Sequence, residues 1–288
     1  MTSDASSSRV LGSVARVSSG TEASIYWDGV GLEWTNKQPD RLWREYTDRL
    51  QIALLDRWLK GPEGQPGGAL PTALKTDLFD EVAGRGIVRH LSDKGFHTTG
   101  IDISPVIVTE AARRNPELHA QVADVRQLPF ADASFNVVFS GSTLDHFTTV
   151  AEITQAMQEL VRVLRPSGRL VLTLDNPLNP LVWLRNGPLL KMLRQCGVVP
   201  YSVGATLGPK RLANLVRESG LEVVQTRAIL HYPRVLAVWR ARRLRGQSVA
   251  AQQRFLASLE RWECLEQWPS RFLSGHFTAI LAGKREQR

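Results

Sequence analysis

The sequence predicts an α/β fold with a mainly parallel sheet, helices on both faces and an N-terminal helical cap. Three observations carry this. From residue 73 to 284, short apolar runs suited to strands alternate with stretches of helical spacing, the order that builds strand–helix–strand units. The first such run closes on a glycine turn, Asp80-Glu81-Val82-Ala83-Gly84-Arg85-Gly86. A second run ends in an acid, Gly100-Ile101-Asp102-Ile103-Ser104. Strand, glycine turn, helix and acid-tipped strand is how an open α/β sheet holds an adenosine. Glycines let the backbone approach the ligand, and the acid accepts hydrogen bonds from the ribose hydroxyls.

Residues 1–22 are Ser-rich and poor in apolar side chains, which reads as a disordered tail without the apolar centre of a secretory signal. Residues 23–72 read as the helical cap and its linker. Asp40 is an N-cap, and the helix runs to about residue 60, where Gly61-Pro62 stops it. Its Trp43, Tyr46, Leu50, Leu54 and Trp58 recur every three to four residues, a stripe for the core or a lid that lines a pocket. Gly and Pro dominate 62–72. The domain of residues 73–284 follows, its first strand ending at the glycine turn and a helix then reaching about residue 94. Further strands fall at 96–103, 119–122, 135–140, 169–174, 221–230 and 276–282. Helices fall at 105–114 behind a Ser104 cap, 150–164 and 210–219. Insertions occupy about 176–209 and 233–273.

Composition bounds the function. With 43% hydrophobic and 22% charged residues, the chain is an ordinary globular protein. Cys196 and Cys264 have no metal-ligand spacing, so neither a metal site nor a disulfide is expected, and a reducing cytoplasm is the natural location. No apolar stretch approaches the roughly 18 residues of a membrane span. The net charge of +8 invites a nucleic-acid reading. Its densest run is Arg234, Arg240, Arg242, Arg243 and Arg245, interleaved with Val235, Leu236, Val238, Trp239 and Leu244. This reads as an amphipathic basic helix: a solvated cap, a patch for an anionic substrate or membrane surface, or an RNA contact.

A dinucleotide fingerprint needs a small residue three positions after Gly86, and Arg89 stands there. A phosphate-cradling Gly-x-x-x-x-Gly-Lys-Ser/Thr loop is absent. An adenosine ligand without phosphate, such as S-adenosylmethionine, needs neither.

Residues 78–175 resemble the class I S-adenosylmethionine-dependent methyltransferases, in particular the type 11 and ubiquinone-biosynthesis-like subgroup. Asp80-x-Val82-x-Gly84-x-Gly86 matches that family's acid-x-Gly-x-Gly-x-Gly except at Val82. Asp102 matches its ribose-binding acid. Ala123-Asp124-Val125-Arg126-Gln127-Leu128-Pro129-Phe130 matches the stretch whose acid contacts adenine. Ser134 to Ser140 resembles the fourth strand, and Leu160 to Leu170 the helix end, turn and fifth strand. The resemblance implies a Rossmann-like seven-stranded sheet with the last strand inserted antiparallel. It also implies S-adenosyl-L-methionine as cofactor, held by Asp80, Glu81, Ala83, Gly84, Gly86, Asp102, Ile103, Asp124, Val125, Arg126, Ser140 and Gly141. At Val82, either the turn keeps φ negative or the pocket is partly blocked.

The acceptor belongs beyond the carboxyl ends of the fourth and fifth strands. There His146 is a candidate base for a hydroxyl and Asp145 its orienting partner. Asn176, Asn179, His231 and Tyr232 follow other strand ends and, with Trp34 and Trp43 of the cap, are candidate acceptor-binding residues. The expected reaction is methyl transfer to a small, partly apolar organic acceptor at oxygen. The alternatives are an RNA or protein methyltransferase using residues 234–245, and a catalytically silent methyltransferase-like binding or regulatory protein. The expected partner is the small-molecule acceptor rather than nucleic acid, with weak membrane-surface contact and a monomer or homodimer both compatible.

Overall fold

The computed structural model describes residues 20–37, 40–59, 70–187 and 204–285. Its strands are β1 (Thr72–Lys75), β2 (His97–Asp102), β3 (His119–Val122), β4 (Phe135–Gly141), β5 (Leu164–Asp175), β6 (Leu221–Ile229) and β7 (Phe277–Lys284). They form one seven-stranded sheet in the order β3-β2-β1-β4-β5-β7-β6. The first five are parallel, and β7 runs antiparallel between β5 and β6. The order reverses between β1 and β4, and such a switch point opens a crevice at the carboxyl edge.

Alternation along the central strands supplies both layers of the core. Leu74, Val138, Leu170 and Leu172 pack on Ile153, Met157 and Leu160 of α6 (Val150–Val163). Ala73, Val137, Phe139 and Val171 face Leu54, Leu55 and Trp58 of α2 (Arg41–Trp58). Helix starts follow local chemistry. Ser104 caps α5 (Pro105–Arg114) by accepting from Ile107 N–H at 3.2 Å. Thr149 and Glu152 form the capping box of α6.

Three expectations are corrected. The first strand ends at Lys75, not at the glycine turn, and Phe79–Ala83 is instead a short helix, α3. Asp77 starts it by accepting from Phe79 N–H at 2.7 Å. Asp80 and Glu81 then occupy a helix first turn, where anions are favoured. Gly20–Glu22, expected within the tail, begin α1 (Gly20–Lys37), while residues 1–19 lie outside the described residues. So do Gly61-Pro62, Cys196 and residues 188–203 of the first insertion; its start folds as α7 (Pro180–Asn186). The basic run 234–245 forms α9 (Arg234–Arg243), but Val235, Leu236 and Trp239 lie exposed rather than on the buried face with Ala237, Val238 and Ala241. Between α7 and α9 lies α8 (Pro209–Glu218), and α4 (Val88–Asp93) follows the glycine turn.

Candidate active site

Lys75, at the end of β1, is buried, with its ammonium 3.8 Å from Asp80 and 3.7 Å from Glu81. Burial pulls its pKa down, but these two carboxylates outweigh it and hold the ammonium charged. Glu81 Oε1 also accepts from Ile87 N–H at 2.8 Å and Val88 N–H at 3.2 Å. Asp48 reaches across from α2 and accepts from Arg85 N–H at 2.7 Å and Gly86 N–H at 3.2 Å. The glycine turn is thus closed on the protein's own carboxylates. A Cβ at Gly84 would strike the Asp48 carboxylate; one at Gly86, where φ is +77°, would strike Glu81. Only glycine fits either place. Val82 sits in α3, outside the positive-φ residues, and its side chain packs with Trp34 and Phe79.

At the end of β2, Asp102 accepts from Leu78 N–H at 3.1 Å and Ser104 N–H at 2.9 Å. Burial, then the Asp77 charge, push its carboxyl up to about 7. Asp124 accepts from Arg126 through both backbone and guanidinium, and Arg126 also reaches Glu152 at 2.6 Å. Val125 lies in the main core, Ala83 is buried, and Ser140 Oγ accepts from Thr76 Oγ1 at 3.0 Å. Ile103, half-buried, follows β2.

β4 ends in Gly141 and then Ser142, a non-glycine residue at φ +54°, a strained backbone of the kind that collects at functional sites. Ser142 Oγ donates to Asp145 Oδ2 at 2.8 Å. The other oxygen, Asp145 Oδ1, is buried, has no hydrogen-bond partner among the described residues and lies 3.8 Å from His146 Nε2. Burial, then the nearby Asp175, push the Asp145 carboxyl well above the usual carboxylate range. Asp175, ending β5, pairs with the Arg185 guanidinium and lies 3.4 Å from His276 Nε2. Burial holds His276 neutral, down at about 3.

These ends meet in a cavity of about 50 Å³, roofed by α2 through Trp43, Arg44, Thr47 and Gln51. α1 closes its side. Asp28 there accepts from Ser104 Oγ and Val106 N–H, and the Trp27 ring stands edge-on to His146 at 4.6 Å. Of the nominated residues, Trp43, Asp80, Gly141, Asp145 and His146 line this cavity. Others do not. Trp34 is only 2% exposed, sealed in the core beside Val82 and Phe79. Asn176 donates to the Phe272 and Gly275 carbonyls, and Asn179 caps α7. His231 is held between Ser274 Oγ and the Ala228 carbonyl, and Tyr232 Oη accepts from Arg240. These four tie loops together and do not line the cavity. Glu81 and Gly84 border a separate shallow groove with Arg85, Arg89 and Arg114.

The residues missed are Trp27, Arg44, Thr47, Gln51, Asp77, Phe79, Ser142, Asp175, Arg185, Arg234, His276 and Phe277. Arg44, Thr47, Asp48 and Gln51 share one face of α2 at helical spacing, a polar signal beside the aromatic stripe. Arg185, Arg234 and His276 come from distant segments and carry no local signal. Among the described residues, no group of three or more His, Cys, Asp or Glu could hold a metal. No helix among them is long and apolar enough to cross a membrane.

A seven-stranded sheet with β7 antiparallel between β5 and β6 and a polar cavity at the switch point defines the class I S-adenosylmethionine-dependent methyltransferase fold. Residues 83–172 match the type 11 methyltransferase-domain family. It is 35% identical over 133 residues to the demethylmenaquinone methyltransferase of Beutenbergia cavernae, covering 46% of each chain. Against the malonyl-[acyl-carrier protein] O-methyltransferase of Enterobacter lignolyticus it is 35% identical over 105 residues, 36% of this chain and 41% of that one. The chain thus spans less than half the length of these curated relatives. A chain of the complex between the Haloferax volcanii Trm112 methyltransferase activator and a methyltransferase superposes with a TM-score of 0.58 at 17% identity, covering 92% of this chain and 98% of that one.

The donor set suits the cofactor of this class. Gln51 Oε1 and Asp145 Oδ1 line the cavity, are buried and lack a hydrogen-bond partner among the described residues; both are acceptors for an amino group. Asp77, Asp80, Asp145 and Asp175 share this space with Arg44, Arg185 and Arg234, a mixed lining suited to a ligand that carries both charges. Room is the constraint. Pockets for ligands of this size run to about 300–1,000 Å³, so admitting the cofactor requires the cavity to widen.

Proposed function

We propose that this protein transfers a methyl group from S-adenosylmethionine to a small, partly apolar organic acceptor, at oxygen. The observation that carries the reading is the pairing, at the carboxyl end of β4, of His146 with Asp145 beneath the aromatic roof of α2. When bound, the cofactor supplies a sulfonium-borne methyl group as electrophile. Asp102 would face the ribose, Asp124 the adenine, and Gln51 with Asp145 the amino group. His146, 19% exposed at the side chain, accepts the hydroxyl proton as the new bond forms. Asp145, 3.8 Å from His146 Nε2, lies beside it to position the ring. Trp43 and Phe277 give the acceptor an apolar wall, and α1 with α2 exclude water.

Demethylmenaquinone and malonyl-[acyl-carrier protein] methyltransferases among the relatives support a small organic acceptor. The test is to incubate the purified chain with methyl-labelled cofactor and fractionated metabolite extracts. Label should appear in a small organic product, on oxygen by the methyl carbon's NMR shift, and fall by about 10²–10⁴ with His146→Ala. Label transferred only to RNA or protein would overturn the acceptor class.

A further inference from the structure

α9 (Arg234–Arg243) is docked inside out. Its buried residues are Ala237 and Ala241, which lie in the apolar cluster with Leu42 and Trp43 of α2. Val238 packs partly beside them, but three bulky apolar side chains point outward: Val235 is 56% exposed, Leu236 50% and Trp239 52%. Small residues against the protein let the helix approach closely, and the large ones are left to solvent. A merely solvated cap helix would carry the opposite arrangement.

The charges on this helix are equally distinctive. Arg240, Arg242 and Arg243 form no ion pair with any carboxylate among the described residues. Elsewhere Arg49, Arg113, Arg126 and Arg162 are all paired with acids. Arg243 lies flat on Trp239, its guanidinium carbon 3.4 Å from the ring centroid. Arg240 donates to Tyr232 Oη, and the Tyr232 ring meets the 46%-exposed Trp262 at 5.3 Å. Uncompensated guanidiniums interleaved with exposed aliphatic and indole groups match the headgroup boundary of a bilayer, where stems and rings enter the apolar side while charges remain at the phosphates.

We propose that α9 is a docking surface for an anionic phospholipid membrane. An RNA partner would use the arginines but would find nothing to recognise in Val235 and Leu236. Both a bilayer's acyl boundary and its anionic headgroups are matched by this helix. At the helix start, Arg234 lies on the buried side with Ala237 and Ala241 and lines the active-site cavity, so the exposed face is free to dock without covering that residue. The proposal rests on the α9 surface alone and is tested without turnover.

The test is co-sedimentation of the full chain with vesicles of phosphatidylcholine alone or mixed with phosphatidylglycerol. Binding is expected on the anionic vesicles, weakening as salt rises, and little is expected on phosphatidylcholine. Arg242→Gln/Arg243→Gln should bind about 25-fold more weakly, at about fivefold per guanidinium removed near the surface. Leu236→Ser/Trp239→Ser should lose retention while keeping the wild-type thermal melt, since both side chains face outward. Equal partition onto both vesicle types, or binding unchanged in both double variants, overturns the proposal. A gel shift with RNA that is lost in the arginine variant, with no vesicle binding, assigns the surface to nucleic acid instead.

Discussion

Replacing Asp48 tests how the cap is fastened to the glycine turn. Its Oδ2 takes the Arg85 and Gly86 N–H groups at 2.7 and 3.2 Å, while its Oδ1 has no partner among the described residues. Burial, then the neighbouring Asp80, push this carboxyl up to about 8. The folded protein therefore retains a proton that the unfolded chain, with an ordinary carboxyl near 3.9, gives up. Stability from this group is full below pH 4 and falls as pH rises towards 8, by at most about 1.4 kcal/mol per pH unit. Asp48→Asn keeps an acceptor for both amides and removes the titration. It should match the wild type near pH 5 and exceed it by roughly 2–4 kcal/mol at pH 8. Asp48→Ala deletes both bonds and should cost about 1–3 kcal/mol at pH 5, two neutral bonds at 0.5–1.5 each. Urea denaturation of the three proteins at pH 5, 6.5 and 8 measures this. An Asn variant as damaged as the Ala variant at every pH, or a difference from wild type that does not change with pH, would show that Asp48 is not held as described.

Further outcomes follow from the same geometry. His146→Ala should lower methyl transfer by about 10²–10⁴ with cofactor affinity little changed; full turnover in a labelled-methyl assay would demote the residue to packing. Trp27→Ala removes edge-on contacts with His146 and Phe79, worth about 0.5–1.5 kcal/mol each. Cofactor association followed by stopped-flow should accelerate roughly tenfold, and an unchanged rate would mean that α1 does not gate the cavity. Lys75→Met leaves Asp80 and Glu81 without their buried cation and should cost about 3–5 kcal/mol by chemical denaturation at pH 7. A loss below about 1 kcal/mol would place that charge compensation elsewhere.

The strand and helix pattern was legible because each element is locally consistent. Ser104-Pro105 announces α5, Thr149 with Glu152 announces α6, and the apolar runs of β4 and β5 are unbroken. The glycine turn misled about β1. Leu78 to Val82 has strand-like composition, yet Asp77 turns the chain by accepting from Phe79 N–H just ahead of the helix, and Lys75 draws Asp80 and Glu81 back onto the sheet end. Asp145 and His146 directly follow a strand at the sheet's switch point and line the cavity there. Asn176, Asn179, His231 and Tyr232 also sit past strand ends, but their polar atoms are consumed by neighbouring loops. Position alone could not separate the two groups. The Asp175–Arg185–His276 cluster joins residues far apart in the chain, a relation that only the fold creates.

The account stands most directly on calorimetric titration of the full chain with S-adenosylmethionine, beside the Asp102→Ala variant. It predicts saturable one-site binding by the wild type and at least tenfold weaker binding by the variant, since an acceptor of charge-assisted bonds at about 1.5–3 kcal/mol each is lost. No binding by the wild type, or equal affinity in both proteins, would contradict it.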